Sequence, residues 1–246
     1  MIAPTVKRLV LVGNSAHNIE VTRKKLIKVT AAICENIIKQ LNDGVTFASE
    51  TIGGVIESLS AEERPTTNAS PLELEQFSEF LEEKYGLFLL TNNTNMVKMA
   101  DLIFSATSMP KAFITASILK PGAVLCDLSR PRPISNESVI DRDDVLVIDG
   151  GIIEIPSEPY IGRYGLESGL AYACMAETMM LTLQRDFRCF SLGSNLPIED
   201  IMYQGDLAER HGFEVSYLQM FGKAIDDNRW RRYKRALGVE FGGCAA

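Results

Sequence analysis

Cys174 and Glu177 are the residues whose types and spacing best suit covalent chemistry, since they lie three positions apart in an apolar stretch. On a helix this spacing places both side chains on one face. A cysteine attacks carbon as the thiolate, which a helix N-terminus, a cation or a base favours. We predict a helix from Leu166, which puts Cys174 past the first turn and beside a carboxylate that disfavours the thiolate. From these residues alone a buried core cysteine is the simpler interpretation, and Glu177 is equally a general acid or base or a structural carboxylate.

The turn after the first predicted strand is the first candidate binding element. It contains Gly13, Asn14, Ser15 and Ala16. A dinucleotide-binding turn has the pattern GxGxxG, whose glycines let backbone N–H groups approach a pyrophosphate. Only Gly13 of that pattern is present, so an ordinary strand-to-helix turn capped by Asn14 or Ser15 explains the segment as well.

Small and polar residues also follow the later predicted strands. In an open parallel sheet, ligands bind at the carboxyl ends of the strands. Backbone can approach a ligand closely only where side chains are small. The sequence therefore predicts a cofactor-binding edge formed by Gly13 together with Ser105, Ala106, Thr107, Ser108, Gly150 and Gly151.

The elements that must position these residues are short apolar runs separated by helical segments. The runs cover residues 9–12, 100–106, 123–128 and 145–151, and each has Gly, Ala or Asp at or next to its last residue. Amphipathic segments follow at about 20–41, 166–185 and 198–211. This alternation predicts an α/β fold with a doubly wound parallel sheet, Rossmann-like, and C-terminal helices. We predict a dinucleotide-binding domain over 1–165 and a helical segment over 166–246 that packs on it.

Composition limits the class of protein further. The 246 residues carry a net charge of −7, which disfavours nucleic acid and anionic membranes as partners. No apolar stretch is long enough to span a bilayer, and the N-terminus has no signal-peptide pattern. The five cysteines lack CxxC spacing, which disfavours disulfides and a zinc site. We expect a cytoplasmic protein without a metal, and the sequence leaves homo-oligomerisation open.

Several segments in order resemble a known family. They are Ala106-Thr107-Ser108-Met109-Pro110, Val147–Glu154, Tyr172–Met179, Phe190–Asn195 and Arg210–Phe213. From about residue 100 to residue 215 the chain resembles the C-terminal half of the cyanobacterial long-chain acyl-(acyl-carrier-protein) reductases. The chain departs from that family in lacking its N-terminal acyl-binding region and in its degraded glycine turn.

This resemblance implies an NADPH-dependent reductase that converts an acyl thioester to an aldehyde, with NADH not excluded. Cys174 would take the acyl group, and Gly150, Gly151 and the Met109-Pro110 turn would face the nicotinamide. The partner would be a carrier protein or coenzyme A. Arg130 and Arg132 would bind its phosphopantetheine or another phosphate, and the basic segment 229–235 would contact an acidic carrier. For both basic features a solvated surface is the equal alternative.

Two other functions stay open at this point. One is a dehydrogenase that acts on a small carbonyl or imine without a covalent step, for which Cys174 is dispensable. The other is a non-catalytic Rossmann-like scaffold within a biosynthetic complex, which the broken glycine turn favours.

Overall fold

The computed structural model describes residues 3–13, 18–109, 112–157, 165–190 and 196–238. It divides into two compact units, Met1–Ala100 and Asp101–Ala246. The domain division near residue 165 stays a prediction. The predicted mixed α/β class with parallel strands is confirmed, since parallel pairs occur in both units. No helix in the described ranges is long and apolar enough to cross a membrane.

The first unit contains one parallel pair of strands. Strand β1 (Leu9–Val12) pairs with β2 (Phe88–Thr91), and the register aligns Leu9 with Phe88. This confirms the prediction that the first strand is parallel, ends at Gly13 and precedes a long helix. The helices are α1 (Ile19–Asn42), α2 (Ile52–Ser58) and α3 (Pro71–Tyr85), with 3-10 turns at Ala3–Thr5 and Thr94–Met99.

The core of the first unit forms where α1, α2 and α3 bury apolar faces beside β2. Its fully buried side chains include Cys34, Ile37, Ile52, Ile56 and Leu81. The bounds of α3 follow from its end residues. Ser70 and Glu73 form a reciprocal capping box, and Gly86 ends the helix in the left-handed conformation.

The second unit is built on three parallel strands. These are β3 (Leu102–Ser105), β4 (Val124–Asp127) and β5 (Leu146–Asp149), in the order β3-β4-β5. The connections contain a 3-10 turn (Ala116–Ile118) and the short helix α4 (Asn136–Val139). The register ends all three strands at the same level.

The rest of the second unit adds antiparallel strands and three helices. Strand β6 (Ile152–Glu154) pairs with β7 (Leu170–Tyr172) and with β8 (Glu214–Val215), and β9 (Gln219–Met220) forms a hairpin with β10 (Lys223–Ala224). The helices are α5 (Ala173–Gln184), α6 (Ile198–His211) and α7 (Asp227–Ala236). The predicted helix start near residue 166 is wrong, because residues 170–172 form a strand.

Candidate functional site

A row of polar side chains ends the three parallel strands of the second unit. Ser105, Asp127 and Asp149 are register partners, so they stand side by side on one face at the carboxyl edge. All three are buried, and Asp127 has no exposed surface. A buried carboxylate is costly unless it is paired or hydrogen-bonded. The surroundings of these two aspartates therefore define the candidate site.

Ser129 is hydrogen-bonded to residues at the carboxyl ends of β3 and β4. Its backbone N–H donates to Asp127 Oδ1 (2.8 Å), and its hydroxyl lies 3.1 Å from that of Ser105. The Thr107 N–H donates to Ser129 Oγ (2.9 Å), and the Met109 N–H donates to Thr107 Oγ1 (3.2 Å). The predicted segment from Ser105 to Ser108 is thus fixed to the end of β4.

Burial raises the pKa of Asp127, and the Ser129 hydrogen bonds and the charges of Arg130 and Arg132 oppose that rise. Asp127 Oδ2 is buried and accepts no hydrogen bond from the described residues. Arg130 Nη1 lies 3.8 Å from it, which is an ion pair without a hydrogen bond. Burial therefore makes Asp127 easier to protonate than a solvent-exposed aspartic acid.

Asp149 joins three segments that are distant in sequence. Its Oδ2 accepts a hydrogen bond from Arg132 Nη2 (2.8 Å) and another from the Gly222 N–H (2.5 Å) at the tip of the β9–β10 hairpin. The Arg132 guanidinium also lies over the Phe221 ring, 5.4 Å from its centroid. Asp149 thereby fixes both the loop after β4 and the hairpin at the end of β5.

The side chain of Arg130, in the loop after β4, lies beside Tyr172, the residue that precedes α5. Its Nη1 donates to the Ser129 carbonyl (2.6 Å), and its guanidinium stands 5.3 Å from the centroid of the Tyr172 ring. Tyr172 is the N-cap residue of α5 and provides no side-chain capping hydrogen bond. The first N–H groups of a helix lack intrahelical acceptors and carry partial positive charge. Arg130 and the α5 N-terminus each favour an anion, and Tyr172 connects them, since its ring contacts Arg130 and its backbone caps α5.

Cys174 is the second residue of α5, and its side chain is exposed. The interpretation that it lies past the first helical turn in a buried core is therefore wrong. The Ala173 N–H donates to the Gly151 carbonyl (2.8 Å), which fixes the helix start against the end of β5. Glu177 follows about one turn later and is half-buried. The missed signal is Gly169, whose φ of +81° introduces strand β7 rather than a helix.

Packing accounts for the glycines at the end of β5. A Cβ atom on Gly150 would lie 2.8 Å from both Cys126 Sγ and Leu128 Cδ2. Gly151 has a φ of +68°, which disfavours any other residue. The fold therefore favours glycine at both positions, whether or not a ligand binds there.

Gly13 belongs to the first unit, whereas the other described candidate residues belong to the second. A Cβ atom on Gly13 would overlap the Thr22 side chain of α1, so close helix packing explains this glycine. Asn14, Ser15 and Ala16 lie outside the described residues. The predicted phosphate-binding role of this turn stays a prediction.

The sequence interpretation missed most of the charged network. Asp127 and Asp149 carried a usable signal, since each ends an apolar strand and parallel strands align their ends. Phe221 and Gly222 carried none, because Gly222 meets Asp149 from 73 positions away and Phe221 contacts Arg132 from a similarly distant part of the chain. In the described part of the chain no group of three His, Cys, Asp or Glu side chains could hold a metal ion.

Comparison with known proteins changes the functional interpretation. No family model matches the chain. Over 136 residues it is 36% identical to a protein named Aminotransferase PigE from Serratia sp. (strain ATCC 39006), a match that covers 54% of this chain. The same match spans only 16% of that relative. The relative is an enzyme by name, which accords with an enzymatic function for this chain.

The match corrects the interpretation based on acyl-(acyl-carrier-protein) reductases. The named relative is an aminotransferase, so the predictions of an NADPH-dependent thioester reductase, of an aldehyde product and of an acyl group on Cys174 are wrong. An aminotransferase implies pyridoxal phosphate instead of a nicotinamide cofactor. That cofactor requires a lysine for its Schiff base and an acidic partner for its ring nitrogen.

The described residues of the second unit do not fit pyridoxal phosphate. Lys120 pairs with Asp101 at the amino ends of the strands (2.5 Å), and Lys234 lies over Trp230 on α7. Lys223 follows the hairpin tip and is exposed. Asp149, a strand-end carboxylate of this unit, is already bound to Arg132. No buried lysine stands at the carboxyl edge in the described ranges.

Proposed function

We propose that the second unit is an enzyme domain that binds a small carboxylate-bearing molecule at the carboxyl edge of β3, β4 and β5. The observation that carries this proposal is the position of Arg130, next to Asp127 and over the N-cap residue of α5. The doubly wound, Rossmann-like arrangement belongs to the same proposal, because such sheets bind ligands at this edge.

The chemistry of this place favours a carboxylate. A guanidinium group binds carboxylate oxygens through paired N–H donors. The first turn of α5 adds backbone N–H groups with partial positive charge. Arg130 Nη1 is held by the Ser129 carbonyl, which fixes the guanidinium and reduces the entropy lost on binding.

The likeness to an aminotransferase selects the kind of carboxylate. Transamination interconverts amino acids and oxo acids, and both carry a carboxylate group. We infer that this unit binds an amino acid or an oxo acid in amino-group metabolism. The match spans 16% of the relative, and we assign the unit to substrate binding.

Cys174 and Glu177 are proposed site residues on the same helix. Among the described cysteines, Cys174 alone combines exposure with a place in the first turn of a helix. We assign it contact with the bound ligand, with Glu177 one turn further along the helix.

Isothermal titration of the whole chain with 2-oxobutyrate and 2-oxoglutarate tests the proposal. We expect saturable binding of at least one of them, weakened about tenfold by Arg130→Gln, because one charge-assisted hydrogen-bond partner is lost. Arg231→Gln, an exposed arginine of α7, is the matched control and should bind like the parent. Binding of neither oxo acid, or equal binding by Arg130→Gln, would contradict the proposed site.

A further inference from the structure

Two arginines at this edge are held in matching ways. Arg130 pairs with Asp127 at the end of β4 and lies over the Tyr172 ring. Arg132 pairs with Asp149 at the end of β5 and lies over the Phe221 ring. Each guanidinium thus has a strand-end carboxylate on one side and an aromatic face on another.

The arginines flank Pro131 and extend to different segments, one to the start of α5 and the other to the β9–β10 hairpin. Because Arg130 and Arg132 reach the ends of the neighbouring strands β4 and β5, the site has two separate guanidinium groups. About a third of each side chain is exposed, which leaves both accessible to a ligand.

Arg132 has a donor that its carboxylate partner does not use. Asp149 accepts from Nη2, whereas Arg132 Nε is buried and bonds to no acceptor in the described part of the chain. A buried charged donor without an acceptor is unfavourable by more than an ordinary hydrogen bond. Asp149 Oδ1 is likewise buried without a partner, so an anion would bind the exposed part of the Arg132 side chain rather than Nε.

The charges of the two arginines and two aspartates do not exclude an anionic ligand. With both aspartates ionised, the two ion pairs are neutral. Arg130 Nη1 lies 3.8 Å from Asp127 Oδ2 and makes no hydrogen bond to it, so Asp127 compensates the charge of Arg130 incompletely.

We propose that the ligand of this site carries two anionic groups, one bound at Arg130 and the second at Arg132. This inference rests on the proposed function and narrows it to dicarboxylic amino acids or oxo acids. An aromatic ring against each guanidinium restricts its orientation, so each donor set faces one direction.

The alternative is that Arg132 only fixes the hairpin. In that case its loss would lower the stability of the fold and leave the preference among ligands unchanged. The two cases therefore differ in selectivity, which is measured on folded protein and is independent of a general loss of stability.

Isothermal titration of the whole chain with succinate, glutarate and adipate, compared with butyrate, tests the proposal. We expect one of the three dicarboxylates to bind about tenfold more tightly than butyrate, since a second charge-assisted contact forms. Arg132→Gln should bring that dicarboxylate down to the affinity of butyrate and leave butyrate unchanged, while Arg231→Gln matches the parent. Arg132→Lys keeps the charge without the paired donors and should lie between the two.

The outcomes separate this inference from the proposed function. If butyrate binds as tightly as every dicarboxylate and depends on Arg130, the single-anion site stands and the second anion is excluded. If no carboxylate binds the parent protein, the proposed function itself is wrong. Since the comparison of ligands on the parent needs no variant, a variant that does not fold leaves the test intact.

Discussion

The two units end their parallel strands in different ways. In the first unit β1 ends at Gly13, and the Thr22 side chain of α1 occupies the space beside it. In the second unit β3, β4 and β5 end in a buried row of Ser105, Asp127 and Asp149 with two arginines attached. The first arrangement is explained by packing and leaves one uncharged atom, Thr22 Oγ1, buried without a partner, whereas the second leaves atoms of charged groups, Asp127 Oδ2, Asp149 Oδ1 and Arg132 Nε, without partners among the described residues.

This difference shows which kinds of strand-end residue indicate a binding site. A small residue at a strand end is compatible with a ligand, but close packing of a helix requires it equally. Buried charge is different, because burial costs free energy that hydrophobic packing would avoid. A charged strand end that is only partly satisfied is therefore the stronger indication of a ligand.

Among the substitutions that test this comparison, removal of the Asp149 carboxylate should lower the free energy of unfolding most. Asp149→Ala leaves Arg132 without its carboxylate and the Gly222 N–H without its acceptor. We expect the free energy of unfolding to fall by about 2–3 kcal/mol, less than for a fully buried pair because Arg132 is partly exposed. Urea denaturation followed by circular dichroism measures the change.

Asp101→Ala is the control for that experiment. Asp101 also pairs with a cation, Lys120, but its side chain is 86% exposed. Exposed pairs contribute little, so the expected loss is below about 1 kcal/mol. Equal losses for the two variants would mean that the strand-end network adds nothing beyond a surface ion pair.

Much of the fold could be predicted from local pattern, and the site only in part. Apolar runs ending in Gly or Asp indicate β1, β4 and β5, and the Ser70-Pro71 pair marks the start of α3. The start of α5 is hard to place, because residues 170–172 are as apolar as the helix that follows and Gly169 is a weak signal for the strand between. The hairpin that meets Asp149 depends on tertiary packing, which no local pattern encodes.

Replacing the glycines at the two strand ends with alanine should have a smaller effect on the free energy of unfolding. Gly150→Ala introduces a Cβ atom 2.8 Å from Cys126 Sγ, and Gly13→Ala introduces one that overlaps Thr22. Overpacking of this kind costs about 1–3 kcal/mol, and we expect the lower half for Gly150, since the nearby Leu128 is exposed and can move. Thermal unfolding measures both losses.

Gly205→Ala, within α6, is the matched control. A Cβ atom there meets nothing within 4 Å. Replacing a helical glycine with alanine should raise the free energy of unfolding by about 0.5–1 kcal/mol. If Gly150→Ala were as stable as Gly205→Ala, packing would not explain the glycine, and a role in ligand approach would become the better account.

The smallest expected effect is a difference in thiol reactivity between Cys174 and Cys189. Both thiols are exposed, but only Cys174 lies in the first turn of a helix. Negative charge at that position is favoured by about 0.3–1 kcal/mol, which predicts alkylation two- to fivefold faster than at Cys189. The arginine next to Cys189, Arg188, is neutralised by Asp186 at 2.6 Å and should not accelerate its alkylation.

Peptide mapping by mass spectrometry after timed exposure to iodoacetamide measures the two rates in one sample. Cys34 serves as the internal blank, because burial raises its pKa to about 12 and excludes the reagent. A saturating carboxylate ligand should slow alkylation of Cys174 and leave Cys189 unchanged, since only the former lies beside the proposed anion site. Equal rates for both thiols, with no protection by any ligand that binds, would remove Cys174 from the site and leave Arg130 and Arg132 as its functional residues.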